Sequence, residues 1–386
     1  MKLKPHFLVR ISCLALRQPP LSIHSTDLLY TSFSFNSKDS VSTINLHNVC
    51  IDTDALRLFL YCDDGCDLLK EKTANLGCDF MIQQSSMPIH SVNDKKGIYW
   101  MSGARDVYQG SFEAIGFLLH LITNIPLYPS IRQMIIPFSP TRFCKELIES
   151  AQWLLPSTAR FKVIWEDDLL QFGQQACFEE LITVTSIQWI EEGGVFRRRD
   201  LVDLLRASVY KHANVAMSQR EYKFVRVLLA KPDSVELFGI EEVREYYKKN
   251  GNWWYFEKAL SSLSLHEECL MMVDTDVFIA FTEYDLYHMI LLLPHSVVLA
   301  IAPNHLQFAS LNAMAESASL LYLPVFNASS PLPYECEQKG LEDVDCVHIL
   351  QTSPIQMNYG QIHNYMRVAA IHVQIKKYRT ALGKQP

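Results

Sequence analysis

Residues 274–303 read Asp-Thr-Asp-Val-Phe-Ile-Ala-Phe, then Thr-Glu-Tyr-Asp, then Leu-Tyr-His-Met-Ile-Leu-Leu-Leu-Pro-His-Ser-Val-Val-Leu-Ala-Ile-Ala-Pro. The apolar run at 277–281 predicts a β-strand, and the polar tetrapeptide after it predicts a turn. Residues 286–293 predict a helix of about two turns, which Pro294 ends, and residues 297–302 predict a second strand. Together they predict a β-α-β unit, and such units place a ligand at the first turn.

Strand and helix signals alternate on both sides of this unit. Strands joined by single helices predict a parallel sheet with right-handed crossovers, and we assign it to a C-terminal domain at 216–370. Its further strands are predicted at 223–229, 253–257, 319–325 and 347–351, and its further helices at 240–250, 265–272, 306–318 and 361–380.

The preceding part of the chain predicts a second α/β domain at 46–215. A hairpin is expected at 48–62, strands at 98–101, 133–138, 160–165 and 177–184, and helices at 111–124, 143–155 and 199–213. Residues 1–45 are interpreted as an irregular lead-in or a partial targeting segment, and residues 371–386 as the end of the closing helix and a tail. The predicted fold class is therefore α/β, with two Rossmann-like domains facing a central cleft.

Bulk composition excludes several classes of protein. Apolar residues make up 49% and charged residues 20% of the 386 residues, which is typical of globular proteins. A net charge of −7 provides no electrostatic footprint for nucleic acid. No run approaches the roughly 20 apolar residues that span a bilayer. The basic, then apolar, N-terminus resembles a signal peptide, although Arg10 interrupts the apolar part; an ordinary strand or a missing true start is the alternative.

Ten cysteines are present, and their spacing does not match a zinc site. We expect buried thiols with one or two disulfides. Asn327-Ala-Ser329 is an N-glycosylation sequon, a weak indication of a secretory environment.

The β-α-β unit resembles the signature of the family-61 glycosyltransferases. In that signature an acidic-apolar strand leads into His-Gly-Ala-Gly-Leu, then Asn, an apolar helix, Pro-Pro-Gly and a closing strand. Here Asp276-Val-Phe-Ile matches the strand, and Leu286 matches the leucine. The similarity continues in consistent order over about 48–370. It includes the helix start at 108–118, Cys177-Phe178-Glu179, the helix at 196–212, the segment at 225–243 with Glu241-Glu242-Val243, and the strand at 296–303.

This chain departs from the signature at its polar positions. Thr282-Glu283-Tyr284-Asp285 replaces His-Gly-Ala-Gly, so two carboxylates stand where glycines approach the donor diphosphate. Each carboxylate at about 5 Å from a phosphate charge costs about 3 kcal/mol at an effective dielectric near 20. The other departures are His288 for Asn, His295 for Gly, Lys231 and Val235 for Arg, Gly239 for Asn, Ser111 for Asn and Ala114 for His.

The resemblance implies inverting transfer of a sugar from a nucleotide sugar, UDP-linked, to a hydroxyl of a protein or glycan. It implies an ER or Golgi lumen location, no metal or other cofactor, and a GT-B-like arrangement with the donor on the C-terminal domain and the acceptor on the N-terminal one. The candidate donor-binding residues are Lys231, Thr282, His288 and His305.

Glu283 and Asp285 are the candidate catalytic residues, as general bases for an acceptor hydroxyl. The alternative is that they stabilise the N-terminus of the following helix, worth about 1 kcal/mol. His288 could face the ligand or be a satisfied core histidine, and Lys231 could pair with phosphate or remain solvated. The sequence therefore supports two hypotheses: a divergent family-61-type glycosyltransferase, or an inactive relative acting as a binding or scaffold protein.

Overall fold

A computed structural model describes the greater part of the chain. The described residues are 32–38, 41–52, 57–62, 80–84, 96–100, 107–124, 133–136, 141–169, 175–184, 198–218, 224–233, 235–249, 253–302, 309–326, 334–339, 346, 349–350, 353–356 and 359–381. The chain divides into two compact units, Met1–Ile190 and Glu191–Pro386. The fold is mixed α/β, as predicted.

The first unit is built on an eight-stranded mixed sheet of order β4-β3-β2-β8-β5-β6-β7, with β1 paired to β2. The predicted hairpin is confirmed, because β2 and β3 pair antiparallel. β2 is also antiparallel to β8, whereas β5, β6 and β7 run parallel. The strands are β1 Ser32–Lys38, β2 Val41–Asp52, β3 Arg57–Cys62, β4 Phe80–Gln84, β5 Lys96–Trp100, β6 Gln133–Ile136, β7 Lys162–Trp165 and β8 Gln175–Val184; the helices are α1 Val107–Asn124, α2 Arg142–Gln152 and the single turn α3 Glu166–Leu169.

A disulfide joins the centre of this sheet. Cys50 on β2 lies directly opposite Cys177 on β8, with the Cα atoms 3.9 Å apart, and their sulfurs are bonded. A second disulfide, Cys336–Cys346, lies in the second unit. Among the described residues, Cys144 and Cys269 are buried thiols. Both kinds of cysteine expected from the sequence, buried thiols and disulfides, therefore occur among the described residues.

The second unit contains a five-stranded, fully parallel sheet of order β11-β9-β12-β13-β14. The prediction of a parallel sheet is confirmed here. Its strands are β9 Val225–Ala230, β11 Trp253–Lys258, β12 Val277–Ala280, β13 Val297–Ala302 and β14 Leu321–Phe326; the helices are α4 Arg199–His212, α5 Ile240–Lys249, α6 Leu265–Val273, α7 Glu283–Tyr287, α8 Ala309–Ser317, α9 Tyr334–Lys339 and α10 Tyr359–Ala381.

The central strands form the core of this unit because they are apolar on both faces. Every residue of β9 and β12 is buried, including Arg226 within β9. Continuous burial without alternation is the pattern of a parallel strand covered by helices on both sides. The inner face of α10 joins the same core through Ile362, Met366, Ala369 and Val373.

Residues 32–38 and 41–45, which the sequence interpretation placed in an irregular lead-in, form β1 and the start of β2. Three further details differ from the sequence prediction. The strand predicted at 347–351 is wrong, since Ile349 and Leu350 are helical and a short strand β15, Ile355–Gln356, pairs with β10, Leu237–Phe238. A short apolar run does not distinguish a strand from a helix. The helix predicted from Leu286 begins earlier, at Glu283, because Thr282 caps it, and a 3-10 helix His288–Leu291 follows.

The third difference is the position of α4, which the sequence interpretation placed before a boundary at residue 216. The structure assigns α4 to the second unit. Its Arg206 donates hydrogen bonds to the carbonyl oxygens of Ile290 and Ala318, and the Tyr210 hydroxyl donates to the carbonyl of Leu291. These long-range contacts are invisible to local periodicity.

Candidate functional site

The candidate site lies where the order of the parallel strands reverses. In chain order β9 comes first, β11 adds on one side of it, and β12, β13 and β14 add on the other. The switch point is therefore between β9 and β12, which pair in parallel with Ile279 opposite Leu229. Open α/β sheets bind ligands outside the carboxyl ends of their strands at such a point.

The structure brings two sequence-predicted site segments together at this edge. Lys231 is the first residue after β9, and Thr282 is the second residue after β12. Their strands are hydrogen-bonded neighbours, so the ends of both strands lie at one edge of the sheet. We call Lys231 and residues 282–285 the switch-point site.

The Thr282 side chain caps the N-terminus of α7. It is the N-cap of α7, with extended backbone (φ −113°, ψ 155°), and its Oγ1 accepts a hydrogen bond from the Asp285 amide at 3.2 Å. The same hydroxyl donates to Asp285 Oδ2 at 2.6 Å. One amide that a helix N-terminus would offer an anion is thus already occupied by the chain's own side chain.

Asp285 stands at the third position of α7 with an altered acidity. Burial raises the pKa of its carboxyl, and the nearby charge of Asp233 raises it further. The hydrogen bond from Thr282 and the proximity of His288 act in the opposite direction without reversing the shift. A carboxyl of raised pKa can serve as a general base or acid, but here its Oδ2 is also part of the cap.

Lys231 presents the cationic side chain of the site to solvent. Its backbone amide donates to the carbonyl of Lys258 at 2.8 Å, which ties the end of β9 to the end of β11. Burial opposes ionisation of neighbouring Glu257, but hydrogen bonds from Arg244 and Tyr255 and the charge of Lys231 lower its pKa overall. Lys231 is therefore positioned to meet an anionic ligand, with acidic neighbours that compete for it.

The His288 side chain is buried and does not face a nucleotide-sugar donor. It is 3% exposed, and its Nδ1 is hydrogen-bonded to Oε1 of Glu268, which is 2% exposed on α6. The structure thus places His288 in a buried carboxylate-imidazole pair, the satisfied-core alternative. Glu268 was not singled out from the sequence, although the signal exists: it is an acidic residue on the same helix face as Leu265 and Met272, which are buried.

Two predicted site residues cannot be placed. His305 and the side chain of Glu283 lie outside the described residues, although the Glu283 backbone begins α7. Asp233, close enough to Asp285 to raise its pKa, is an exposed residue of the site that sequence reasoning missed. Within the described part of the chain, no group of three or more His, Cys, Asp or Glu could hold a metal ion.

The acidic run at 166–168 is part of a strand-end turn. It forms α3 directly after β7, and Asp168 Oδ2 accepts a hydrogen bond from the Trp165 amide at 3.4 Å. This contact gives Asp168 a structural role at the end of β7.

No protein-family model and no curated protein matches this chain. None of the described helices combines the length and apolar character needed to cross a membrane.

The electrostatic state of Asp285 makes a testable prediction. Because its folded-state pKa is raised, ionisation of Asp285 opposes folding, and this cost appears as pH rises from the unfolded value through the raised pKa. Asp285→Asn keeps an oxygen that accepts from Thr282 and removes the charge. We expect the variant to have a higher Tm than the native protein at pH 7. Below pH ~3.5 the two Tm values should be equal, because the Asp285 carboxyl is then protonated in both the folded and the unfolded state.

The measurement is Tm against pH for the two proteins, taken as a difference so that other titrating groups cancel. Asp200→Asn, on an exposed side chain paired with Arg198, is the matched control and should not show a gain at neutral pH. A Tm for Asp285→Asn below that of the native protein at pH 7 would show that the ionised carboxylate stabilises the cap.

Proposed function

We propose that this chain is a divergent, GT-B-like protein of the family-61 glycosyltransferase type that has lost nucleotide-sugar transfer and acts as a binding protein. The observation that carries the proposal is the Thr282–Asp285 cap at the switch point. The cap occupies the place at which the glycine-rich turn of that family meets the donor diphosphate.

Backbone conformations support the resemblance independently of the site chemistry. His295 stands where the family signature has glycine, and it adopts a left-handed φ of 66°. Gly239 stands where the signature has asparagine, and its φ is 77°. Glycine and asparagine enter this region most readily. Two aligned positions therefore have the backbone that the family's own residues would favour.

The strand arrangement supports the same proposal. A Rossmann-like sheet of the flavodoxin-like kind has the order 2-1-3-4-5 with its ligand between strands 1 and 3. Numbered from β9, the five parallel strands of the second unit follow this order. The donor domain proposed from the resemblance corresponds to this unit.

Loss of donor binding follows from charge and space. Asp285 adds a carboxylate and a Cβ where the signature has glycine, and its amide is satisfied by Thr282. A single carboxylate at about 5 Å from a phosphate costs about 3 kcal/mol at an effective dielectric near 20, or more than about a hundredfold in affinity. Lys231 supplies one positive charge but lacks the bidentate geometry of arginine.

An active inverting transferase is the second candidate, and two observations favour it. Lys231 stands at the switch point, and the pKa of Asp285 is raised, as is common for catalytic carboxyls. In that case Asp285 would take the proton of an acceptor hydroxyl while a UDP-linked sugar is transferred. The disulfides of the chain fit the oxidising ER or Golgi lumen that both candidates share.

Thermal shift with nucleotide sugars separates the two candidates. A ligand that binds only the folded state raises stability by RT ln(1 + [L]/Kd), so even weak donors are detected at about 1 mM. We expect no change in Tm with UDP-GlcNAc, UDP-xylose or a GDP-sugar. A rise of several degrees that Lys231→Ala abolishes would establish the transferase candidate instead. A rise that Lys231→Ala leaves intact would show a donor bound elsewhere and would contradict the assignment of the switch-point site.

A further inference from the structure

The closing helix α10 carries apolar side chains on two opposite faces. The inner face packs into the core of the second unit, as described above. The outer face is exposed, with relative accessibilities of 50% for Val368, 56% for Ile371, 49% for Ile375 and 67% for Tyr378. A surface helix ordinarily has one apolar stripe, so a second stripe of this kind marks an interaction surface.

The four exposed side chains form a narrow line. Their spacing is three, four and three residues, which is the a/d spacing of a helix-helix seam. At about 100° per residue they lie within an arc of about 80°, and at 1.5 Å per residue the line is about 15 Å long. We call these residues the α10 seam.

The formally charged side chains of α10 itself are all basic. Helix α10 spans 23 residues and contains no Asp or Glu. Arg367 and Arg379 are both exposed, one on each side of the line. Further basic groups on the helix, Lys376 and Lys377, lie toward the core, where the Lys377 ammonium pairs with Asp276.

We propose that the α10 seam docks an acidic amphipathic helix of another protein, with apolar residues at a/d spacing and carboxylates beside them. Carboxylates next to such a partner's apolar line would face Arg367 and Arg379, which supplies the charge complementarity. A second copy of this chain would bring arginine against arginine. A lipid surface is less suited, because interfacial helices present a wide face with Trp, Phe and Leu, whereas this line is narrow and mostly β-branched.

The inference is independent of the switch-point site, because it concerns a different element and remains whether or not a nucleotide sugar binds. The test uses the full chain and two fluorescent peptides of about three heptads with Leu at a and d. One peptide carries Glu at e and g, and the other Lys. Like charges keep each peptide from pairing with itself, so anisotropy reports binding to the protein alone.

We expect the Glu peptide to bind at least about tenfold tighter than the Lys peptide. Ile371→Ser with Ile375→Ser should weaken Glu-peptide binding at least about tenfold. Arg367→Glu with Arg379→Glu should reverse the preference between the peptides. Leu204→Ser and Leu270→Ser replace exposed apolar residues on α4 and α6 and should bind like the native chain.

Several outcomes would overturn the proposal. Equal binding of the two peptides would show that the charge of the partner does not matter. If binding of the Glu peptide does not saturate by about 1 mM, the seam is not a docking site for such a helix. A concentration-dependent dimer in light scattering that the Ile371→Ser, Ile375→Ser variant abolishes would assign the seam to a second copy. Binding to phosphatidylcholine-phosphatidylserine vesicles that the same variant abolishes would assign it to lipid. Circular dichroism verifies that each variant is folded.

Discussion

Arg206→Ala is expected to destabilise the second unit by about 3–5 kcal/mol, since removing one partner of a buried charged network leaves the others unsatisfied. Arg206 is 1% exposed. Its Nε donates to the Ile290 carbonyl at 3.0 Å, and its Nη2 donates to the Ala318 carbonyl at 3.1 Å. Its Nη1 pairs with Asp203 at 3.0 Å.

The effect is large because those carbonyls end two helical segments. Ile290 belongs to the 3-10 helix after α7, and Ala318 follows α8, so neither carbonyl continues an α-helical hydrogen-bond ladder. Burial lowers the pKa of the guanidinium, with Asp203 acting against this shift. Arginine remains charged, so its side chain must keep its partners when buried. The guanidinium thus ties α4 to the segment that carries the switch-point turn.

Urea unfolding of native and variant chains measures this prediction, with the transitions of the two units fitted separately where they resolve. Arg206→Lys keeps a charge but loses the planar fork, so we expect a smaller yet substantial loss. Arg199→Ala removes an arginine of the same helix whose side chain is 59% exposed, and a change within about 0.5 kcal/mol is expected. An equally small change for Arg206→Ala would contradict the role assigned to these hydrogen bonds.

Glu268→Leu is expected to cost about 3 kcal/mol, because it leaves His288 buried without its carboxylate. The two side chains are each under 5% exposed and join α6 to the 3-10 helix. Replacement of both partners by leucine removes the uncompensated polar group. The double variant Glu268→Leu, His288→Leu should therefore be more stable than Glu268→Leu alone.

A double-mutant cycle by urea unfolding tests this pair. Glu267→Leu is the matched control on the same helix: it removes the capping box with Ser264 and should cost about 1 kcal/mol. Additive losses for Glu268→Leu and His288→Leu would show that the contact contributes nothing. In that case His288 would be available for another role, including contact with a ligand.

The strand framework of the second unit could be predicted from sequence because its signal is local. Residues 297–302 and 277–280 are short apolar runs bounded by Pro, Thr and Asp, and each became a buried strand. The end of the strand before the site was predicted in the correct place for the same reason, but residues 283–285, predicted as a turn, form the start of α7. The cap was predicted only in part, because the sequence alternative gave Glu283 and Asp285 the stabilising role at the helix N-terminus, whereas the N-cap residue is Thr282.

The remaining features depend on partners distant in sequence. Arg206 and Ile290 are 84 residues apart, and Glu268 and His288 are 20 apart. Periodicity shows that such residues lie on a buried helix face but not what they meet there. The same limit explains the placement of α4, whose apolar face is evident from sequence but whose unit is determined by its tertiary contacts.

Titration calorimetry with UDP, the group shared by UDP-sugar donors, tests the central claim most directly. We expect no binding of UDP to the native chain below about 1 mM. Glu283→Gly with Asp285→Gly removes both carboxylates, restores the small residues of the family signature and frees the turn, so UDP should bind this variant at least about tenfold tighter. Native binding with Kd below about 100 μM, lost on Lys231→Ala, would contradict the claim that the capped turn has lost its donor.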